Sequence, residues 1–505
     1  MANILGIDLG TTYSVVAHLT PDGRAEVLRD ADNNNLTPSV VFLEGPNQFL
    51  VGWEAKRESV VQPELVAEHF KRQMGDGATK VIGGHNFTPV ELSTLVLRKL
   101  RQVAEGQLGQ IDAVVVTVPA NFTNQARQDT ITAGKAAGLD IQHIINEPTA
   151  AAIFYAQQQH LQGKIAVYDL GGGTFDCSIV EISGQDVEIL SSQGNQRLGG
   201  HDFDNKLLEL VQSKFQQQTG SSYRLKQSDF GSKDLEDLKK SLSSRPKVLA
   251  SVSPPEGGRV NIEITQQEFA DAIFTYITKA EMLVEEALDE VGLQATDVDH
   301  VVLVGGSTRV PAVRDSVAKL FGKEPKALAN VDEVVALGAA VYAAIKSGDG
   351  KLNLAQKAAV SNVGIGEVCN HYFGTVALKI NQETNESERR VSILIPKNSP
   401  LPAEISEDFF TVHDGQTAVR CIVTQSPAEE TDPRWVTTVW EGEIGSLPPG
   451  RPSGQKILVI FKYDTNATLH CTFVDVDSGK KTEVSLDQRS GEASPSLNIE
   501  QFIVD

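Results

Sequence analysis

Residues 4–14 read Ile-Leu-Gly-Ile-Asp-Leu-Gly-Thr-Thr-Tyr-Ser, and residues 165–176 read Ile-Ala-Val-Tyr-Asp-Leu-Gly-Gly-Gly-Thr-Phe-Asp. Each stretch is an apolar strand, an Asp-Leu-Gly, a turn of Gly and Thr, and then a second apolar run. Glycine at such a turn lets the backbone approach a ligand closely. Successive N–H groups in a tight turn make a concave anion site. Asp8 and Asp169 head the two turns and are suited to hold a hydrated divalent cation beside a phosphate. One such hairpin is commonplace; two in one chain predict two half-domains that clamp a nucleotide polyphosphate between them.

A third segment fits the same picture. Residues 301–311, Val-Val-Leu-Val-Gly-Gly-Ser-Thr-Arg-Val-Pro, predict a strand, a glycine turn and a helix start, a usual seat for a nucleotide. Working outward, helix signals alternate with strands to about residue 345. Thr88-Pro89-Val90-Glu91 is a capping box, followed by Leu92, Leu95, Val96, Leu100 and Val103 at helical spacing up to Gly106. A strand is expected at Ala113 to Val118. Thr265-Gln266-Gln267-Glu268 opens another helix that Gly292 stops. Ser347-Gly348-Asp349-Gly350 reads as a linker. From about residue 390 short strands follow one another, at 391–395, 418–423, 435–440, 457–461 and 469–474, which predicts an all-β module.

Composition narrows the function. The chain has 505 residues, too many for one core, and 40% apolar and 22% charged residues, ordinary for a globular protein. A net charge of −21 argues against nucleic acid or an anionic membrane surface as partner. No stretch is long and apolar enough to span a bilayer, and the first residues carry no basic leader. Cys177, Cys369, Cys421 and Cys471 lack metal-ligand spacing and read as buried thiols in a reducing compartment, so a cytoplasmic location is expected.

The three glycine segments resemble the heat-shock protein 70 family of DnaK-type chaperones. So do Ile145-Asn146-Glu147-Pro148-Thr149-Ala150-Ala151-Ala152, Asn330-Val331-Asp332-Glu333 and Leu337-Gly338-Ala339-Ala340. The resemblance covers nearly all of residues 1–345 and, more weakly, about 363–487. It implies an α/β fold, an actin-like (ribonuclease H-like) duplicated ATPase domain over 1–345. A linker over 346–362, a β-sandwich peptide-binding domain over 363–487 and a polar tail over 488–505 would follow. ATP, ADP and Mg²⁺ would be the ligands. Gly10, Thr11, Thr12 and Tyr13 would form the first phosphate turn, and Gly171, Gly172, Gly173 and Thr174 the second. Asp8 and Asp169 would hold Mg²⁺ through water, with Glu147 nearby and Asp176 a further carboxylate. Lys71 matches the family lysine that holds the γ-phosphate and the attacking water. Gly305, Gly306, Ser307 and Arg309 match the adenosine turn, and Glu236, Lys239, Lys240 and Ser243 the helix that closes over base and ribose. Pro119 and Arg127 match positions that relay nucleotide state to the peptide domain. Val419 falls at the pocket for a central apolar side chain, with Phe409, Val412 and Val368 lining or arching over it.

Unfolded or extended polypeptide segments are the expected partners, with a J-domain co-chaperone and a nucleotide-exchange factor. Four departures from the family pattern stand out. The segment between Lys71 and Thr88 is short, as is the stretch before the base-closing helix. Lys351-Leu352-Asn353-Leu354-Ala355-Gln356 replaces a leucine-rich linker ending in Asp. The chain ends about where a helical lid would begin, so fast peptide exchange is expected. An ATPase whose β module holds one dedicated partner, a sugar or acetate kinase, and a filament-forming actin relative are the other readings.

Overall fold

The computed structural model describes residues 3–230, 235–255, 258–326, 330–348, 350–361, 363–380, 387–464, 468–486 and 502–504. The part read as a polar tail lies outside them at 488–501 and 505. Two compact units divide the chain: Met1–Val187 with Ser191–Gly364 and Ser494–Asp505, and Glu188–Leu190 with Ile365–Ala493.

The first unit repeats one topology twice. Strand Ile4–Asp8 turns back antiparallel into Tyr13–Leu19 and pairs in parallel with Ala113–Val118, which pairs in parallel with Ile141–Asn146. Strand Gly163–Leu170 turns back antiparallel into Phe175–Ser183 and pairs in parallel with His300–Val304. The central parallel strands are apolar throughout, as strands covered on both faces must be; every residue of Ala113–Val118 is buried. The two halves pack through helices Glu147–Gln159 and Val334–Lys346. These approach so closely that a Cβ on Gly338 would sit 1.7 Å from the carbonyl oxygen of Ala150. Only glycine permits that crossing.

The capping boxes form as expected. Thr88 caps helix Pro89–Leu108, which runs past Gly106 and ends at Gly109, and Thr265 caps helix Gln266–Asp289. Within the segment read as linker, Asn353 caps a helix, Leu354–Val360. Gln356 pins that helix by donating to the carbonyls of Leu19 and Thr20 at 3.0 and 3.3 Å.

Beyond the last strand of the second unit, the segment Phe502–Val504 belongs to the first. Ile503–Val504 forms a strand parallel to Gln48–Val51, at the edge of a small sheet that continues through Val41–Gly45 to Val66–Ala67.

The second unit is a pair of four-stranded antiparallel sheets. One runs Ser387–Ile395, Tyr372–Ile380, Val419–Ser426, Thr437–Ile444; the other runs Ala403–Phe410, Lys456–Tyr463, Leu469–Asp475, Lys481–Leu486. Alternation fixes their inner faces: Ile457, Val459, Phe461 and Tyr463 enter the core while the residues between face outward or lie half-covered. The strand expected at 435–440 begins at Thr437 instead, and Trp435 stands exposed in the turn before it.

Candidate functional site

The two glycine turns of the first unit meet. A Cβ on Gly172 would lie 1.8 Å from Thr12 Oγ1, and one on Gly173 would lie 2.6 Å from Thr11 Cγ2. Both turns are tied from behind. Ser39 donates to the Gly10 carbonyl at 2.7 Å, and Ser307 to the Gly171 carbonyl at 2.8 Å. The amides of Gly200 and His201 donate to the carbonyls of Gly171 and Gly172 at 3.0 and 2.7 Å. With their carbonyls engaged behind, the turns are held in fixed shape for an anion in front.

Around them lies a cavity of about 710 Å³, a size that suits a small-molecule ligand. Its walls include Asp8, Gly10, Thr11, Thr12 and Tyr13 from the first turn, and Asp169, Gly171, Gly172 and Thr174 from the second. Lys71, Glu147, Glu236, Lys239, Lys240, Ser243, Gly305, Gly306, Ser307 and Arg309 complete the sequence-selected part of the wall. Gly173 packs on Thr11, and Asp176 is buried behind the second turn, opposite Asp169 in the hairpin register.

At one end, Lys71 Nζ donates to Glu147 Oε1 at 2.6 Å, both side chains buried. Lys71 sits on a short 3₁₀ turn, Phe70–Gln73, launched by the left-handed backbone of His69, φ 59°. Glu147 is the first residue of its helix. Three carboxylates crowd beside this pair. Burial and then the neighbouring Glu147 push Asp8 up to about 7, against the pull of Lys71 and a 2.9 Å hydrogen bond from Thr117. Burial and Glu147 raise Asp169 and Asp176 well above the usual carboxylate range. Buried carboxylates that disfavour one another's charge suit a cation. Among the described residues one oxygen of Asp176 has no hydrogen-bond partner. The donor set is all oxygen and fits a hydrated divalent ion.

At the other end, the cavity is closed by residues from both halves. Lys56, on helix Trp53–Val61, pairs with Glu236 on helix Leu235–Leu242, while Lys240 pairs with Glu236 at 2.7 Å. Burial alone would raise the Glu236 carboxyl, but the two lysines outweigh it and hold it at about 2. The Tyr13 hydroxyl donates to Glu236 and accepts from Lys56, both at 3.0 Å. Nearer the second glycine turn, Arg72, beside Lys71 and against Gly173, clasps Asp202 with two bonds of 3.1 Å, and Lys239 pairs with Asp204 at 2.7 Å. Arg309 is steadied by Asp332 at 2.8 Å and Asn330 at 3.2 Å.

Sequence reasoning missed Lys56, Arg72, Asp202 and Asp204, and read Asp332 only as part of a family motif. Asp202 carried a legible signal, since it closes a capping interaction on Gly199 at the start of helix Gly200–Thr219. Lys56 carried none, lying in a helix with little amphipathic pattern.

Arg127 is buried and donates to the carbonyl of Ala120 at 2.9 Å and to Asn146 Oδ1 at 2.7 Å. It thereby joins the turn after Pro119 to the residue preceding Glu147. In the second unit, Val419 opens strand Val419–Ser426 and Phe409 lies near the end of Ala403–Phe410; both are half-buried against the same core. Phe410 and Val412 are exposed, at 58% and 46%. Val368 is buried, and its backbone bridges Pro400. No helix among the described residues is long and apolar enough to cross a membrane.

Comparison with known proteins places the chain beside well-described relatives. A family model described as Hsp70 protein matches residues 4–505. The chain is 35% identical over 488 residues to the "Chaperone protein DnaK" of Thermotoga neapolitana, covering 95% of this chain and 79% of that protein.

Proposed function

Since the chain belongs to the Hsp70 protein family, we propose a division of labour among its residues that follows from the cavity just described. The activity itself comes with the family: this is an actin-like ATPase joined to a β-sandwich. It is an ATP-dependent chaperone that binds ATP and ADP with Mg²⁺ and hydrolyses ATP to regulate its hold on extended apolar segments of unfolded proteins. J-domain proteins and nucleotide-exchange factors are its partners. The reading with one dedicated partner is not favoured.

In our assignment, residues 1–345 are the ATPase, 346–362 the connection and 363–487 the peptide-binding domain. The β- and γ-phosphates lie between the two glycine turns, bonded by Gly10, Thr11, Thr12 and Tyr13 on one side and Gly171, Gly172, Gly173 and Thr174 on the other. Asp8 and Asp169 would hold Mg²⁺ through water, and the bound ion would supply charge neutralisation for the phosphates. Lys71, kept in place by Glu147, touches the γ-phosphate and orients the attacking water. Asp176 stands behind the second turn as a further carboxylate. Phosphoryl transfer asks mostly for such positioning and charge stabilisation. Gly305, Gly306, Ser307 and Arg309 take the nucleoside from below, and Glu236, Lys239, Lys240 and Ser243 close over it. Pro119 and Arg127 carry the state of the site outward, supported by the bond from Arg127 to Asn146. Val419, with Phe409, Val412 and Val368, forms the peptide pocket. Cytoplasmic residence is part of this reading, supported by kinship with DnaK and by four buried free thiols.

The observation that carries the assignment is the buried Lys71–Glu147 pair set beside two touching glycine turns. Lys71→Ala should bind Mg-ATP within a few-fold of the parent and hydrolyse it at least ~10²-fold more slowly in a single turnover. A labelled apolar heptapeptide, followed by fluorescence polarisation, should bind about tenfold more weakly in ATP than in ADP, a coupling of about 1.4 kcal/mol. Val419→Phe should abolish that binding. Undiminished hydrolysis by Lys71→Ala would remove the catalytic assignment.

A further inference from the structure

The small sheet of the first unit has an edge strand, Gln48–Val51, and the chain itself covers that edge with Phe502–Val504. The contact is built for an extended peptide. The Ile503 amide donates to the Asn47 carbonyl at 2.8 Å. Arg98 donates to the Phe502 carbonyl at 2.8 Å and Gln102 to the Val504 carbonyl at 3.1 Å. Those two side chains stand one turn apart on helix Pro89–Leu108. Four helical residues rise about 6.0 Å, and two extended residues rise about 6.6 Å, so side chains at i and i+4 on the helix match alternate carbonyls of a strand laid alongside.

Side chains alternate to suit. The Phe502 ring lies 5.0 Å from Phe49 and 6.0 Å from Phe87, and those two rings meet edge-on at 5.6 Å. Val504 is buried in the core shared with Leu97 and Leu100, while Ile503 between them is 53% exposed. An open edge strand is a template for another strand, and main-chain bonds plus pockets for alternate side chains are how sheet edges capture peptides.

We propose that this edge is a second peptide-binding site, distinct from the sandwich. Its ligand class is an extended segment with an aromatic residue, any residue and a valine, bound parallel to Gln48–Val51. Its resident occupant is Phe502–Val504 of the same chain. Covalent attachment gives that occupant a local concentration on the order of millimolar, so the site is self-occupied until the segment is lifted away.

The test uses the full chain and a labelled peptide of residues 496–505, Ser-Leu-Asn-Ile-Glu-Gln-Phe-Ile-Val-Asp. Phe502→Ala with Val504→Asp disables the resident segment, and anisotropy should then show the peptide binding at least tenfold more tightly than it binds the unmodified chain. Adding Arg98→Ala and Gln102→Ala should cancel the gain; Val419→Phe should leave it intact. Hydrogen exchange at Phe49 should quicken in the disabled chain and slow again with peptide, and retained Mg-ATP binding reports that the unit is folded. Equal, weak binding by the disabled and unmodified chains, with unchanged exchange at Phe49, overturns the proposal. So does peptide binding to the unmodified chain as tight as to the disabled one, accompanied by concentration-dependent dimers, because the occupant would then come from a second copy.

Discussion

At the scale of single residues, His69 and His201 face each other at the cavity wall with ring centroids 4.2 Å apart. Neither was singled out in the sequence, because a lone histidine in a loop and another at a helix start carry no pattern. Burial first, and then His201, Lys80 and Arg72, hold His69 well below its ordinary value, against the opposing pull of Glu236. Burial and then Arg72, Lys239 and Lys80 lower His201, with Asp202 opposing. Glu68 lies 3.7 Å from the His69 ring, and His69 Nδ1 is buried without a partner among the described residues. The uncharged rings therefore belong to this arrangement. Above the ordinary value of 6.5 both are neutral whether the cavity is closed or not, and pH has no leverage. As pH falls below 6.5, opened or unfolded forms take up protons first, and the closed arrangement loses stability. ADP release measured by stopped flow should speed up several-fold between pH 7.5 and 5.5, and His201→Gln should flatten that dependence. A release rate indifferent to pH, or the same slope in His201→Gln, would count against it.

At the scale of elements, the sequence was legible wherever a local rule decides the outcome. Capping boxes at Thr88 and Thr265 gave helix starts, and the Asp-Leu-Gly repeats gave both hairpins. It was less legible where tertiary contacts decide. Helix Leu354–Val360 lies in a stretch that reads as linker, and its anchors are main-chain carbonyls of a strand more than 300 residues away. The strand Ile503–Val504 is two residues long and exists through its neighbour Gln48–Val51. Helix Pro89–Leu108 contributes to both the large core and the edge site, so its first turn matters. There the Thr88 side chain accepts from the Glu91 amide at 3.2 Å while Glu91 accepts from the Thr88 amide at 2.8 Å. Thr88→Ala should cost about 1 kcal/mol, read as a lower urea midpoint at unchanged slope, and Thr88→Ser should recover most of it. A neutral Thr88→Ala would mean the helix start is held by packing alone.

For the whole molecule, the site's residues come from far apart: Lys56 from one half of the first unit, Glu236 from the other, and nothing local announces their pairing. The resemblance named the residues that line the cavity, while folding supplied the supports. The net charge of −21 acts at this scale too. Like charges spread over a surface repel and are screened by salt, whereas partly buried pairs such as Arg72–Asp202 are screened far less. Raising salt from about 10 mM to 150 mM, which shortens the screening length from about 30 to 8 Å, should therefore raise the thermal midpoint. A steady fall across that range would show that ion pairs outweigh the general repulsion. The crossing of Gly338 on Ala150 has a reach beyond packing. One helix begins at Glu147, and the other begins just after Asp332, the partner of Arg309. Main chain resting on main chain is an incompressible stop, so the crossing works as the rivet of a calliper. The gap between the Lys71–Glu147 jaw and the Arg309–Asp332 jaw is gauged by peptide backbone, and no exchange of side chains in the cavity can reset it.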